Sequence, residues 1–234
     1  MVFFSKDFHK LVTIKRKKRA RRFTLRVCQL TGHITLTIPL RASISYAKDF
    51  LLENADWVND QLKQVIPRNY VSIGTKLPIG WVEREIMIQK LSERRHNLEP
   101  TALHLDCNEV EVGSATKNFL VDHATKVLTP IIEENAEYIK RKIKSIRFKD
   151  TKSRWGSCSS TGSLMVNWRL IMAPPSVYRY VAIHEVSHLK YMNHGADFWR
   201  LVESLHPHYR EDRFWLKDNG RKLKTFIFEI SNAA

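Results

Sequence analysis

Two histidines in one apolar segment place the strongest constraint on how this chain can fold. His184 and His188 are four residues apart, and Glu185 directly follows the first of them. In a helix, side chains four residues apart lie on the same face, one turn from each other. The neighbouring positions are apolar: Val181, Ala182, Ile183 and Val186. We therefore expect a buried helix over about 177–191, and its imidazoles and carboxylate need a compensating partner.

A metal ion is the partner that this spacing predicts. Neutral imidazole is a good zinc ligand, and His184 and His188 are close enough on one helical face to hold a single ion. Glu185 can reach the open side of that ion, where a carboxylate accepts a proton from water. The pattern therefore predicts Zn²⁺ as the cofactor and Glu185 as the catalytic base.

The third ligand must come from a segment that folds back after the helix, because catalytic zinc usually has three protein ligands and one position for water. His194 is the first candidate, since the Asn and Gly that flank it can turn the chain. Glu203 is its main rival, and His206 and His208 follow further along the chain.

Positive charge is concentrated near the amino terminus. Of the formal charge of +15, residues 1–30 carry +9, from ten Lys and Arg against the single Asp7. The run Lys15–Arg22 is its densest part. Such a basic arm is typical of nucleic-acid contact, and the alternative is a solvated strand end or turn that improves solubility.

Cysteine use and hydropathy indicate the compartment. Cys28, Cys107 and Cys158 are odd in number, widely spaced and without a C-x-x-C pair, which argues against a disulfide scaffold and suits a reducing compartment. No apolar run is long enough to cross a bilayer, and the first residues lack the apolar core of a secretory signal. We expect a cytoplasmic protein without a membrane partner.

The residue periodicities predict an α+β fold whose amino-terminal half is rich in strands. Alternating apolar positions at 23–28 and 34–38 predict a β-hairpin. Ser43 or Ser45 caps one helix that extends to Pro67. Further short strands are expected at 71–73, 82–89, 102–106 and 109–112.

The carboxy-terminal half is predicted to hold the histidine motif. We expect a long helix over 116–142, which Pro130 can kink or divide. Strands at 146–148 and 164–170 precede the histidine helix, Ser176 supplies its N-cap, and a short helix follows at 196–205. We place the domain boundary so that 1–113 forms the β-rich amino-terminal region and 114–234 the catalytic domain.

Short segments over most of the chain match one family pattern. They are Arg154–Cys158, Val166–Leu170, Ala173–Pro175, Tyr180–Val181, the H-E-x-x-H motif, Met192–His194 and Phe198–Trp199, together with Arg19–Arg22, Leu36–Pro39 and Phe50–Trp57. With these segments the chain resembles the YgjP-like metallopeptidases, which are similar to the SprT-like and WLM-type proteases among the zincins. The resemblance implies a zincin-like catalytic domain with His184, His188 and His194 as zinc ligands and Glu185 as base. The metzincins share the His188-to-His194 spacing, but Tyr191 stands here at their usual glycine position.

The expected function is that of a zinc metallopeptidase. Its partner would be a protein or peptide substrate, with nucleic-acid-associated proteins as candidates because of the basic arm. Two alternatives stay open. One is a basic nucleic-acid-associated protein whose zinc site is structural or degenerate, and the other is a zinc amidase that acts on a non-protein substrate.

Residues near the motif are weaker candidates for a role. Arg154 could orient a carboxylate or a carbonyl of the substrate, or it could be structural and stack on Trp155. Asn167 could contact the substrate backbone if the strand at 164–170 edges the cleft. Cys158 is a candidate fourth ligand or redox inhibitor of the zinc.

Overall fold

The protein mixes helices with several small sheets, which confirms the predicted α+β class. The computed structural model describes residues 2–5, 8–89 and 96–229. The chain divides into two compact units, Met1–Arg68 and Asn69–Ala234.

The first unit is built on a sheet in which strands β1 to β4 follow the order β1–β2–β4–β3. Its strands are β1 (Val2–Ser5), β2 (Phe8–Lys17), β3 (Thr24–Val27) and β4 (Ile34–Pro39). Strands β3 and β4 are antiparallel, so the predicted hairpin is confirmed. Strand β2, which the sequence analysis did not predict, runs parallel to β4 and contains the start of the basic run.

Two helices cover one face of this sheet, α1 (Ile44–Glu53) and α2 (Ala55–Lys63), where a single helix was expected. The break lies at Asn54, whose Nδ2 donates to the Phe50 carbonyl at 2.8 Å, because an Asn side chain competes with the backbone for helical hydrogen bonds. Ser43 is the N-cap of α1, and its Oγ accepts from Ser45 N. The core between helices and sheet contains Val12, Ile34, Leu36, Ile38, Ala47, Leu51 and Val58.

The second unit begins with a sheet in the order β6–β7–β9–β8. Its strands are β6 (Lys76–Ile79), β7 (Val82–Ile88), β8 (Asn97–Leu98) and β9 (Ala102–Leu105). Before it, β5 (Asn69–Tyr70) pairs in parallel with β13 (Phe226–Ile227), whereas a strand was expected at 71–73.

The strand expected at 109–112 is wrong. Residues Glu109–Glu111 form a 3₁₀ helix that leads directly into helix α3 (Val112–Tyr138). A capping box causes this, because Asn108 N donates to Glu111 Oε2 at 3.1 Å and the Asn108 side chain accepts in return. Pro130 lies on an exposed part of α3 and does not divide it.

The hydrophobic core of the second unit joins its sheet to the helices that follow. Leu77, Ile86 and Leu103 from the sheet share one cluster with Leu120 of α3 and Val181 further along. The predicted boundary at 113/114 lies at the first residues of α3, whereas the division between compact units lies at 68/69. Residues 69–113 therefore pack with the carboxy-terminal part of the chain.

A second sheet, in the order β10–β12–β11, leads to the histidine motif. Strand β12 (Ser163–Asn167) is parallel to β10 (Ser145–Lys149) and antiparallel to β11 (Gly156–Cys158). Strand β12 ends before the predicted residue 170, because Asn167 Oδ1 accepts from Arg169 N at 3.0 Å and caps the 3₁₀ helix Trp168–Met172.

Three helices complete the described chain: α4 (Pro175–Ser187), α5 (Ala196–Leu205) and α6 (Tyr209–Leu223). Helix α5 has the predicted bounds. The expected N-cap at Ser176 is wrong, since Pro174 occupies that position and Pro175 opens the helix, as its fixed φ favours. Helix α4 also ends earlier than expected, with His188 as its C-cap. None of the helices in the described ranges is both long enough and apolar enough to cross a membrane.

Candidate metal centre

Helix α4 carries the first histidine and the glutamate through the interior of the second unit. Its buried residues are Val177, Tyr180, Val181, Ala182, Ile183, Glu185, Val186 and Ser187. The buried Ser187 hydroxyl is satisfied because its Oγ donates to the Ile183 carbonyl at 2.8 Å. Most of this helix is therefore buried within the second unit.

Three imidazoles converge at the carboxy-terminal end of α4. One ring nitrogen each from His184, His188 and His194 lies within 4.8 Å of the others. The Nε2 atoms of His184 and His194 are 3.1 Å apart. The structure thus brings together the three histidines that the sequence analysis selected.

The first turn of α5 supports the back of this cluster. Phe198 is fully buried, and its ring centroid lies 5.0, 4.6 and 4.8 Å from those of His184, His188 and His194. Trp199 stacks on His194 with centroids 5.6 Å apart. Two adjacent aromatic residues of α5 therefore hold the imidazole that comes from outside α4.

Hydrogen bonding and burial set the chemical state of the rings. His188 Nδ1 lies 3.0 Å from the Tyr191 carbonyl, so this nitrogen donates and the lone pair stays on Nε2. Burial, the largest cause, and the unfavourable effect of placing a proton beside the His188 and His194 rings lower the pKa of His184 to about 3, and burial also lowers the pKa of His188. His184 Nδ1 is buried without a hydrogen-bond partner among the described residues. The first two rings are therefore neutral at physiological pH and can act as lone-pair donors.

The Glu185 carboxyl is buried beside the cluster, with 6% of the residue exposed. Burial raises its pKa to about 8. Gly156 of β11 leaves the space for this side chain, since a Cβ at that position would lie 2.5 Å from Glu185 Cγ. Cys158 is on the same face of β11, and burial and the Glu185 charge raise the pKa of its thiol to about 11.

Strand β11 presents unpaired backbone groups next to Glu185. Asn167 N donates to Trp155 O at 2.8 Å and Ser159 N donates to Ser163 O at 3.0 Å, so these residues face β12. Backbone groups alternate in an antiparallel pair, and those of Gly156 and Cys158 therefore point away from β12. Within the described parts of the chain, no strand pairs with that outer edge.

The other candidate ligands lie outside the cluster of three histidines. Glu203 pairs with Arg210, with Oε1 and Nη2 3.3 Å apart. His208 is exposed and lies 3.6 Å from a Glu211 carboxylate oxygen. Cys158 also stands outside the group of convergent ligand atoms.

His206 forms a largely buried pair with Asp212, which also contacts the exposed Ser176, and the sequence did not predict this network. Its Nε2 lies 2.5 Å from Asp212 Oδ2, and Asp212 Oδ1 accepts from Ser176 Oγ at 2.7 Å. Tyr180 lies between this network and the cluster, 6.4 Å from the His206 ring and 5.8 Å from the His184 ring. Ser176 is 36 residues from Asp212 in sequence, so no local pattern could have linked it to this pair.

Trp155 and Asn167, which lie near the motif in sequence, make contacts that support the fold. Trp155 packs beneath the Lys224 ammonium, 4.3 Å from the ring centroid, and close to Gly220 of α6. Asn167 is fully buried, and its Nδ2 donates to Thr151 O at 3.1 Å. Strand β12 is central in its sheet. Asn167 therefore does not lie on a strand at the edge of a cleft, which was the condition for its contact with the substrate backbone. Arg154 is exposed.

Comparison with known proteins gives one extensive match. The family model described as "YgjP-like, metallopeptidase domain" matches residues 21–219. The crystal structure of the metallopeptidase zymogen abylysin from Pyrococcus abyssi has 25% sequence identity and a TM-score of 0.30, covering 43% of this chain and 92% of that one. No curated protein matches the chain. Because the family model spans most of the 234 residues, the chain belongs to the YgjP-like metallopeptidase family.

Proposed function

We propose that this protein is a zinc-dependent peptidase in which His184, His188 and His194 hold the metal and Glu185 is the catalytic base. The observation that carries the proposal is the convergence of three imidazole nitrogens within 4.8 Å beside a buried carboxyl group. Membership of a metallopeptidase family gives the class of reaction.

The donor set suits zinc. Zn–N distances of about 2.0–2.1 Å in a tetrahedral site put two ligand nitrogens about 3.3 Å apart. The 3.1 Å between Nε2 of His184 and Nε2 of His194 is close to that value. His188 has its Nδ1 directed at a backbone carbonyl, which is the outer contact that fixes the tautomer of a metal-binding imidazole.

His184, His188 and His194 would hold the zinc, which would supply Lewis-acid chemistry at the scissile carbonyl and at the attacking water. Glu185 accepts a proton from the attacking water and then donates it to the nitrogen of the leaving amine. Burial alone would leave much of this carboxyl protonated at neutral pH, and the charge of a bound Zn²⁺ beside it would favour the carboxylate that accepts the proton. Gly156 and Phe198 act as positioning residues, the first for Glu185 and the second for the imidazoles.

The outer edge of β11 supports an extended peptide as substrate. The backbone groups of Gly156 and Cys158 are directed outward, and a peptide that pairs with them forms an added strand. That strand would pass over Glu185, which packs against Gly156. The edge thus offers main-chain recognition with little dependence on sequence.

The alternatives have less support. A structural zinc site usually has a fourth protein ligand, often Cys. Within the described residues the convergent group consists of three histidines, and Cys158 lies outside it. A zinc amidase with a non-protein substrate would use the same chemistry, but the family match and the strand edge favour peptides.

The test is to change Glu185→Gln, measure bound zinc by mass spectrometry, and follow the cleavage of an unstructured protein. We expect stoichiometric zinc and a loss of about a thousandfold or more in turnover, because the amide cannot transfer the proton. Turnover that survives in Glu185→Gln would disprove this role. A wild-type protein that binds no zinc would disprove the whole proposal.

A further inference from the structure

The face of the first sheet that points away from α1 and α2 carries rows of polar side chains. The register aligns Thr13 of β2 with Thr35 of β4 and Arg26 of β3. In the next row of that face, Lys15 is aligned with Thr37 and Thr24, and Lys17 follows opposite Pro39. Side chains on the other face, such as those of Ile34, Leu36 and Ile38, form the core. We call this set of side chains the basic face; it consists of Thr13, Lys15, Lys17, Thr24, Arg26, Thr35 and Thr37.

The charge around the basic face has one sign. Residues 8–48 contain eleven Lys and Arg and no Asp or Glu. Lys15, Lys17 and Arg26 are all exposed, and within the described part of the chain none of them makes an ion pair. Charges that are not neutralised by neighbours are available to an anionic partner.

Not every Lys and Arg of the basic run lies on the basic face. Arg16 has the opposite orientation in β2, and its Nη1 donates to the carbonyls of Leu40 at 2.6 Å and Ala42 at 2.8 Å. It therefore holds the loop before α1. Residues 18–22, which lead from the end of β2 towards β3, add exposed Lys18, Arg19, Arg21 and Arg22 at the end of the sheet.

The composition of the face fits phosphate rather than bases or lipid. Threonine hydroxyls between cations are suited to phosphate oxygens. Apart from His33, the aromatic residues between positions 12 and 48 are Phe23 and Tyr46. Their ring centroids lie 5.5 Å apart. Phe23 also contacts Phe50 at 5.3 Å and packs with the core on the helix side. The described side chains of the face thus offer no ring for base stacking and no apolar group for insertion into a membrane.

We propose that the basic face binds the phosphate backbone of duplex nucleic acid without regard to base sequence. Lys15, Lys17 and Arg26 supply the charge, and the threonines between them supply hydroxyl contacts. Because binding of this kind releases condensed counterions, it weakens steeply with added salt. The proposal does not depend on the peptidase chemistry of the second unit.

The test uses the full chain and a fluorescently labelled 20-base-pair DNA of random sequence, with anisotropy measured from 50 to 300 mM salt. The face variant combines Lys15→Ala, Lys17→Ala and Arg26→Ala. The control variant combines Lys126→Ala, Lys217→Ala and Arg147→Ala, which removes the same charge from exposed positions of the second unit. A third variant, Lys15→Arg with Lys17→Arg, keeps the charge of the face.

We expect the face variant to bind at least tenfold more weakly at low salt and to reduce the slope of log K against log salt by about 3. The control variant and the arginine variant should bind as the wild type does. Equal weakening in the face and control variants would show a simple net-charge effect and overturn the proposal. So would wild-type protein that fails to bind DNA at 50 mM salt, or one that binds anionic phosphatidylserine vesicles more tightly than DNA. Thermal unfolding of each variant establishes that it is folded.

Discussion

The Glu185 side chain lies directly beneath Gly156, so closely that the α-carbon of residue 156 can carry no substituent. A Cβ at this position would lie 2.5 Å from Glu185 Cγ and 2.6 Å from Cδ, far inside ordinary contact distance. The edge strand β11 and the helix α4 therefore meet at a glycine, and this glycine sets the position of the proposed base.

We predict that Gly156→Ala lowers peptidase turnover by about a hundredfold, because displacement of a catalytic group by about 1 Å has effects of that size. Bound zinc should be unchanged, since the side chain that an added Cβ meets most closely is that of Glu185 and not a histidine. Ser157→Ala is the control, because the side chain of Ser157 points to the other face of β11. A Gly156→Ala protein with wild-type turnover would contradict this role for the glycine.

The third ligand can be tested by comparing His194→Ala with Glu203→Ala. We expect loss of bound zinc after equilibrium dialysis in His194→Ala, because two imidazoles hold zinc much more weakly than three. Glu203→Ala should retain zinc, since its carboxylate pairs with Arg210. The opposite pattern of zinc content would assign the third ligand to Glu203.

The largely buried pair of His206 and Asp212 should contribute to stability. Asp212→Ala leaves both His206 Nε2 and Ser176 Oγ without their partner, and the loss of one member of a buried pair costs about 3 kcal/mol. Urea unfolding measures this change in the free energy of unfolding. Asp218→Ala, at an exposed position of the same helix, should change it by less than about 0.5 kcal/mol. Equal stability of the two variants would show that the network contributes little.

The raised pKa of Cys158 predicts a thiol that reacts slowly. Burial, the larger cause, and the charge of Glu185 raise this pKa from 9.0 to about 11. At pH 8 the thiolate fraction is therefore about 0.001 in the folded state and about 0.1 in the unfolded state. In a Cys28→Ser, Cys107→Ser background, iodoacetamide should modify the folded protein about a hundredfold more slowly than the urea-unfolded protein. The folded rate should rise with pH up to about 11, and comparable rates in both states would refute the prediction.

Local periodicity predicted those elements whose signals lie within a few residues. The α5 bounds and the β3–β4 hairpin followed from apolar spacing and turn residues. Local side-chain competition explains two of the errors. Asn54 interrupts the expected helix by donating to Phe50 O, and the capping box of Asn108 and Glu111 replaces an expected strand. Both signals are present in the sequence, but the apolar spacing around them favoured the other assignment.

By itself, the sequence determined that His184 and His188 share one face, because residues four apart are neighbours on any helix. It also determined the family, through motifs that are contiguous in the chain. Only the tertiary structure decided that His194 rather than Glu203 joins them, and that Gly156 bounds the space for Glu185. The physical reason is that the choice between two distant side chains depends on how helices and strands pack. Here the buried Phe198 contacts all three imidazole rings and so fixes their arrangement.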